Sequence, residues 1–234
     1  MGLKKRILLK ISGQAFVEQD QLSPVIIKDL ARQIKQCQDT HQFGIVTGGG
    51  NFFRGCKEGA RLKVTPSVGH QVGMLATIMN GLIIQDLFEQ AGISTSLFTA
   101  LPSPTIGKTV SPQAIVTALE QDHCLIFSGG TGNPFFTTDT TALLRGLQIG
   151  AQEIWKGTNV DGIYDQDPHK NPGAHKLSSM SYAQALKNNY GIMDRTAFAL
   201  GADHNMRLRV FNIFESDALI KTITDASFGT LETQ

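Results

Sequence analysis

The chain has 234 residues, a formal charge of +1 from 21 Lys plus Arg against 20 Asp plus Glu, and a mean hydropathy of −0.06. That length supports one or two domains with a core that needs no staples. The charge balance argues against a surface built to neutralise many nucleic-acid phosphates, and no apolar run approaches the roughly 20 residues a membrane span requires.

The opening Met1–Arg6 is basic, but the apolar stretch behind it runs only from Ile7 to Leu9. A signal peptide needs a longer one, so none is expected. Arg6–Ile11 reads as the first strand. Ser23-Pro24 supplies a helix cap and a proline at the first helical position, and Val25, Ile26, Leu30, Ile34 and Cys37 recur at helical spacing behind it. Phe43–Thr47 is a second strand that ends in three glycines. A long helix is expected over Val72–Ala91, with Leu75, Ile78, Met79, Leu82 and Phe88 as its buried stripe and Gly92 as its stop. Thr95–Thr99 and Cys124–Ser128 are further strands, separated by a helix that starts at Ser111-Pro112. Thr138–Ile149 reads as a helix, Gln152–Lys156 as a strand, Ser181–Asn188 and Asp194–Asn205 as helices, and Arg207–Ile213 as a strand. Alternation of this kind is the mark of an α/β protein with a largely parallel sheet. Asp161–Lys176, rich in Asp, Gly, Pro, Asn and His, reads as a functional surface loop.

Cys37, Cys56 and Cys124 are odd in number and lack metal spacing; Cys37 and Cys124 fall in apolar segments and read as core. No disulfide framework is expected, which points to the cytosol. The histidines form no zinc-type cluster.

Glycine is the one residue in surplus, 24 of 234 or about one in ten against a usual ~7%. Three glycine clusters each follow a predicted strand: Lys10-Ile11-Ser12-Gly13, Gly48–Gly55 with Arg54, and Gly129–Asp139. Ligands of open α/β sheets collect at the carboxyl ends of strands, so three such loops can face one crevice. Glycine lets backbone N–H groups approach an anion, while Lys10 offers a point charge and Arg54 a bidentate fork. No G-x-x-x-x-G-K-[ST] and no G-x-G-x-x-G occurs, which excludes the two commonest nucleotide loops. Taken singly, each feature has an ordinary explanation. Gly48–Gly50 can be a turn, Lys10 a solvated edge residue, Asp139 a helix cap, Phe135-Phe136 plain core, and Asp161-Gly162 and Asp167-Pro168 simple turns. Their convergence on strand ends favours a phosphate site.

Lys10–Gly13, Gly48–Gly55, Gly73–Thr77, Gly130–Asp139, Val160–Tyr164, Asp167-Pro168, Arg209–Asn212 and Gly229–Leu231 together resemble the bacterial uridylate (UMP) kinases. The resemblance runs nearly end to end, and the Gly130–Asp139 run is specific to that branch. It implies the amino-acid kinase fold: a three-layer αβα sandwich over residues 1–234 with a largely parallel central sheet. A UMP-side lobe would span about 1–150 and an ATP-side lobe about 151–234. It implies reversible transfer of the ATP γ-phosphoryl group to UMP in pyrimidine nucleotide biosynthesis, with Mg2+, in a cytoplasmic homohexamer inhibited by UTP. By position, Lys10, Ile11, Ser12, Gly13, Gly50, Arg54, Thr158, Asn159, Tyr164 and Asp167 would bind ATP. Gly49, His70, Thr131, Gly132, Asn133, Pro134, Phe135, Phe136, Thr137 and Thr138 would bind UMP. Lys10, Arg54 and Asp139 would be catalytic, and Asp139 and Asp194 would hold the metal.

The chain departs from that pattern in three places. His70 stands where the family has an aspartate that contacts UMP. The loop Gln14–Ser23 lacks the glycine-rich stretch associated with activation by GTP, so no such activation is expected. Asn159 replaces a common lysine. Two alternatives stay open: a kinase of the same fold acting on a carboxylate or carbamate, and a non-catalytic nucleotide- or oxyanion-binding module.

Overall fold

The computed structural model describes residues 4–18, 21–53, 59–188 and 190–233. Arg54, Gly55 and Cys56, all singled out above, lie outside the described residues. In chain order the elements are β1 (Lys5–Ile11), a 3-10 turn (Gly13–Phe16), β2 (Val17–Glu18), β3 (Gln21–Leu22), α1 (Pro24–Cys37), β4 (His41–Thr47) and α2 (Pro66–Gln90). Then come β5 (Thr95–Thr99), β6 (Lys108–Thr109), α3 (Pro112–Glu120), β7 (Cys124–Ser128) and α4 (Thr138–Ile149). The chain continues through β8 (Glu153–Thr158), β9 (Ile163–Tyr164), β10 (Lys176–Leu177), β11 (Ser179–Ser181) and α5 (Tyr182–Asn188). It closes with α6 (Arg195–Asp203), β12 (Arg207–Asn212), α7 (Ala218–Thr224) and β13 (Thr230–Thr233).

The main sheet has nine strands in the order β11-β13-β12-β8-β1-β4-β7-β5-β6. Every pairing from β12 to β6 is parallel, and β13 joins β12 antiparallel. β1 sits at the turning point of the order, with β4 on one side and β8 on the other. This is where an open α/β sheet leaves a crevice at its carboxyl edge. The sheet passes without interruption from β1 to β8, so the two expected lobes share one sheet.

Strand alternation assigns each side chain to a layer. In β1, Ile7, Leu9 and Ile11 enter a core with α1, α2 and α7; Leu8 enters the other, with α3 through α6. In β8, Trp155 belongs to the first layer and Ile154 to the second. Lys10 and Lys156 therefore fall on the α4 side. There α4 lies close to the sheet at Gly146, where a Cβ would stand 2.2 Å from the Ile154 Cδ1.

Two caps expected from the sequence form as hydrogen bonds: Ser23 Oγ accepts from the Ile26 amide at 3.5 Å and Ser111 Oγ from the Ala114 amide at 3.3 Å. On α1 the buried face is Ile27, Leu30, Ala31, Gln33, Ile34 and Cys37, whereas Val25 is exposed. The larger correction concerns α2. It starts at Pro66, six residues before the expected Val72, with proline again in its first turn. Its buried face is Met74, Ala76, Thr77, Ile78, Asn80, Gly81, Ile84 and Phe88, while Leu75, Met79 and Leu82 are exposed. By length and composition α2 is the one helix among the described residues that could cross a membrane. Its inner face instead packs on β5 and β7.

Candidate active site

Because β1, β4, β7 and β8 are parallel neighbours, their carboxyl ends open on one edge, and the three glycine clusters follow the first three of them. The first two loops are laced together: the Gly48 amide donates to the Ile11 carbonyl at 2.9 Å and Gln14 Nε2 to the Gly50 carbonyl at 2.9 Å. A Cβ on Gly13 would lie 2.7 Å from the Gly48 carbonyl oxygen, so only glycine permits this approach. From beneath, the buried Asn80 donates to the Gly48 carbonyl at 2.7 Å and exchanges amide hydrogen bonds with Asn51.

Lys10, Asp139 and Lys156 meet at this edge. Lys10 and Lys156 are cross-strand partners in the β1–β8 register and point to the same layer. Asp139 enters from the first turn of α4, where Thr137 caps the helix by accepting the Asp139 amide at 3.0 Å. Lys10 Nζ lies 2.8 Å from Asp139 Oδ1 and Lys156 Nζ lies 2.8 Å from Oδ2. Lys156 also donates to the Ile192 carbonyl. Lys10 is the neighbour of this buried Oδ1, as Lys156 is of Oδ2. The lysines are 7% and 8% exposed, which makes each charge expensive unless paired. Burial raises the Asp139 carboxyl, but the two ammonium groups outweigh it and hold the carboxyl below the usual range. For Lys156 burial wins over the pull of Asp139, and its pKa falls to about 8. One net positive charge remains on the three groups.

A cleft of about 540 Å³ opens beside them, walled by Lys10, Lys156, Thr158, Asn159, Tyr164 and Asp167 among others. Residues from 158 to 169 reach it because β9 and β10 pin that segment; it is therefore partly a two-stranded ribbon, not purely a loop. The Tyr164 hydroxyl donates to Asp161 at 2.6 Å, and Asp167 accepts the His169 amide at 3.0 Å. The alternation that aims Lys10 at Asp139 turns Ile11 to the opposite face, so the Ile11 side chain does not reach this cleft.

On the other side of Asp139 runs the loop from Gly129 to Thr137. Gly129, Gly130 and Gly132 have φ of +77°, +60° and +85°, and Phe135 adopts +71° despite its side chain. Phe135 is 69% exposed, and its ring centroid lies 5.0 Å from that of His70 in the second turn of α2. Left-handed backbone at an exposed aromatic is the kind of local cost that accompanies function. Thr131 Oγ1 accepts the Asn133 amide at 3.1 Å, and Gly49 packs against α2 at Gly73 and Ala76. Phe136 is exposed, and Pro134 precedes the strained residue.

Asp194 has a structural partner set. It caps α6 by accepting the Ala197 amide at 3.0 Å, and it also accepts the hydroxyls of Thr140, at 2.9 Å, and Thr137. Among the described residues no group of three His, Cys, Asp or Glu could hold a metal. Sequence reasoning missed Lys156. In the sequence it is only a lysine following Ile154-Trp155 at the end of an expected strand; the sheet pairing that sets it opposite Lys10 gives it its place.

The amino acid kinase family model matches residues 5–212. Uridylate kinases from Haemophilus influenzae (strain PittEE) and Actinobacillus succinogenes are 42% and 41% identical to this chain, each over 97% of it and over 96% and 97% of their own lengths. Among solved structures, a UMP kinase from Ureaplasma parvum superposes with a TM-score of 0.94 at 33% identity, covering both chains fully. One from Bacillus anthracis gives 0.92 at 27% identity, covering 98% of this chain and 96% of that one.

Proposed function

The chain belongs to the amino acid kinase family, and we propose that it transfers the γ-phosphoryl group of ATP to UMP, reversibly, giving ADP and UDP. The observation that carries this reading is the Lys10–Asp139–Lys156 cluster. It stands between a cleft walled by Thr158, Asn159, Tyr164 and Asp167 and the Gly129–Thr137 loop. We assign ATP to the first and UMP to the second. Arg54, outside the described residues, keeps its place beside the γ-phosphate by resemblance alone. A phosphate oxygen of UMP forms a bond to the γ-phosphorus, the bond to the β,γ-bridging oxygen breaks, and its electron pair leaves with ADP. The acceptor is already ionised, so no residue need remove a proton. Catalysis is then positioning and charge stabilisation. Lys10 and Lys156 supply the cations, and Asp139 keeps both in place while they wait for phosphate.

Mg2+ is expected with ATP. Asp139 would hold it, since its carboxylate stands at the edge of the cleft with only the two lysines as side-chain partners among the described residues, whereas that of Asp194 is taken up by Thr140 and the Ala197 amide. When bound, the ion neutralises phosphate charge beside one or two carboxylates. UDP and ADP forming in equal amounts from UMP and ATP supports this reading, and absence of UDP overturns it.

Lys156 gives the reaction a pH signature. Its ammonium form is lost as pH rises through about 8, so turnover should decline above that value. Stability moves the other way. Between about 8 and the ordinary 10.5 the unfolded chain binds more protons at this lysine than the folded one, so its contribution to stability rises with pH. A pH–rate profile flat to pH 10 would remove Lys156 from the chemistry.

The exposed Val68, Leu75, Met79 and Leu82 lie along one side of α2, an apolar stripe suited to a second copy of the chain. We take it as a subunit contact; the hexamer, UTP inhibition and a cytoplasmic setting follow from the resemblance. Leu75→Glu with Met79→Glu should lower the mass measured by light scattering. An unchanged mass would place the contact elsewhere.

A further inference from the structure

We propose that Arg145 is a positioning residue for the acceptor, fixing the peptide that presents the Thr131 amide; the inference rests on the reading of the Gly129–Thr137 loop as the UMP site. Arg145 projects from α4 and is 4% exposed. Its Nη2 donates to the Gly130 carbonyl at 3.2 Å, and its Nη1 donates to the exposed Gln148 Oε1 at 2.7 Å. The guanidinium carbon lies 5.8 Å from the centroid of the Phe127 ring, itself stacked on Phe98. The ion pairs among the described residues do not include Arg145, and its Nε is buried without a hydrogen-bond partner.

A buried cation without a counter-charge is costly, and burial accordingly depresses its pKa. What offsets the cost is the set of groups Arg145 touches: the Gly130 carbonyl, Gln148 and the face of the Phe127 ring. A trans peptide is planar, with its C=O and N–H directed oppositely. Holding the Gly130 carbonyl toward Arg145 therefore turns the Thr131 N–H away from it, and that N–H makes no hydrogen bond among the described residues. On the preceding residue, the Gly129 amide donates to Thr77 Oγ1 of α2 at 2.7 Å. Two helices thus clamp adjacent positions, both left-handed, and leave one amide hydrogen ready for an anion. The uncompensated charge below the loop favours an anionic acceptor at the same spot.

The test compares wild type, Arg145→Met and Arg145→Lys by steady-state kinetics with UMP and ATP varied separately. Circular dichroism and the thermal midpoint report folding. Arg145→Met should raise KM for UMP about tenfold or more, the loss expected of a charge-assisted hydrogen bond, with KM for ATP within about twofold. Arg145→Lys keeps a charge and a donor, so it should recover most of that loss while remaining about threefold above wild type. A folded Arg145→Met whose two KM values are unchanged, or raised by the same factor, overturns the proposal. Should Arg145→Met fail to fold, Arg145→Lys decides: a rise in KM confined to UMP supports the role, and wild-type values sink it. Wild type that forms no UDP at all overturns the functional reading, and this inference with it. Normal UDP formation with an indifferent Arg145 overturns the inference alone.

Discussion

Lys10→Ala is expected to lower turnover by about 10²–10³, the usual cost of losing one preorganised electrostatic contact to a transferring group. The side chain leaves β1 toward Asp139 and the cleft, and its cross-strand neighbour Lys156 is tied to the other Asp139 oxygen and to the Ile192 carbonyl, so it does not take over the place of Lys10. Asp139 keeps Lys156 at 2.8 Å, so the variant retains a balanced pair and should fold. UMP binding, assigned to the loop beyond Asp139, should be largely intact by calorimetry. Turnover within a few-fold of wild type would remove Lys10 from the mechanism.

Asp139→Asn should act on stability and activity together. The substitution preserves shape but leaves two nearly buried ammonium groups facing each other without a counter-charge. Breaking a buried pair in this way costs about 3–5 kcal/mol. For a chain of this size that corresponds to a fall in thermal midpoint on the order of 10 °C. The deficit should narrow as pH rises, since a neutral lysine needs no partner. A wild-type midpoint at pH 7 would mean that the carboxylate does not hold the two lysines.

Much of this was legible in the residues. Helix α4 has the bounds that Thr138 and Ile149 suggest, and Ser23 and Ser111 cap as their positions predict. The surplus of glycine resolves into strand-end loops, where Gly13 allows a close approach and Gly130 a left-handed turn. What failed did so for physical reasons. Helix α2 is apolar on both sides, so periodicity picked out Leu75, Met79 and Leu82 as a stripe without indicating which side faces the sheet. Its start was missed because Thr65-Pro66 precedes a run with weak amphipathic contrast. Lys156 became visible only through topology: β8 returns beside β1 after more than a hundred residues, and that pairing sets it opposite Lys10. Asp194 matched a family motif, yet its oxygens cap α6 and bind the start of α4. A one-dimensional pattern names a carboxylate without naming its partners.

The most direct measurement is ADP release with ATP as donor and UMP, CMP, AMP and a small carboxylate offered in turn as acceptor. The structure and its relatives predict turnover with UMP well above every other acceptor, falling above a pH of about 8. Equal or greater turnover with CMP, AMP or the carboxylate would contradict the assignment of the Gly129–Thr137 loop to UMP.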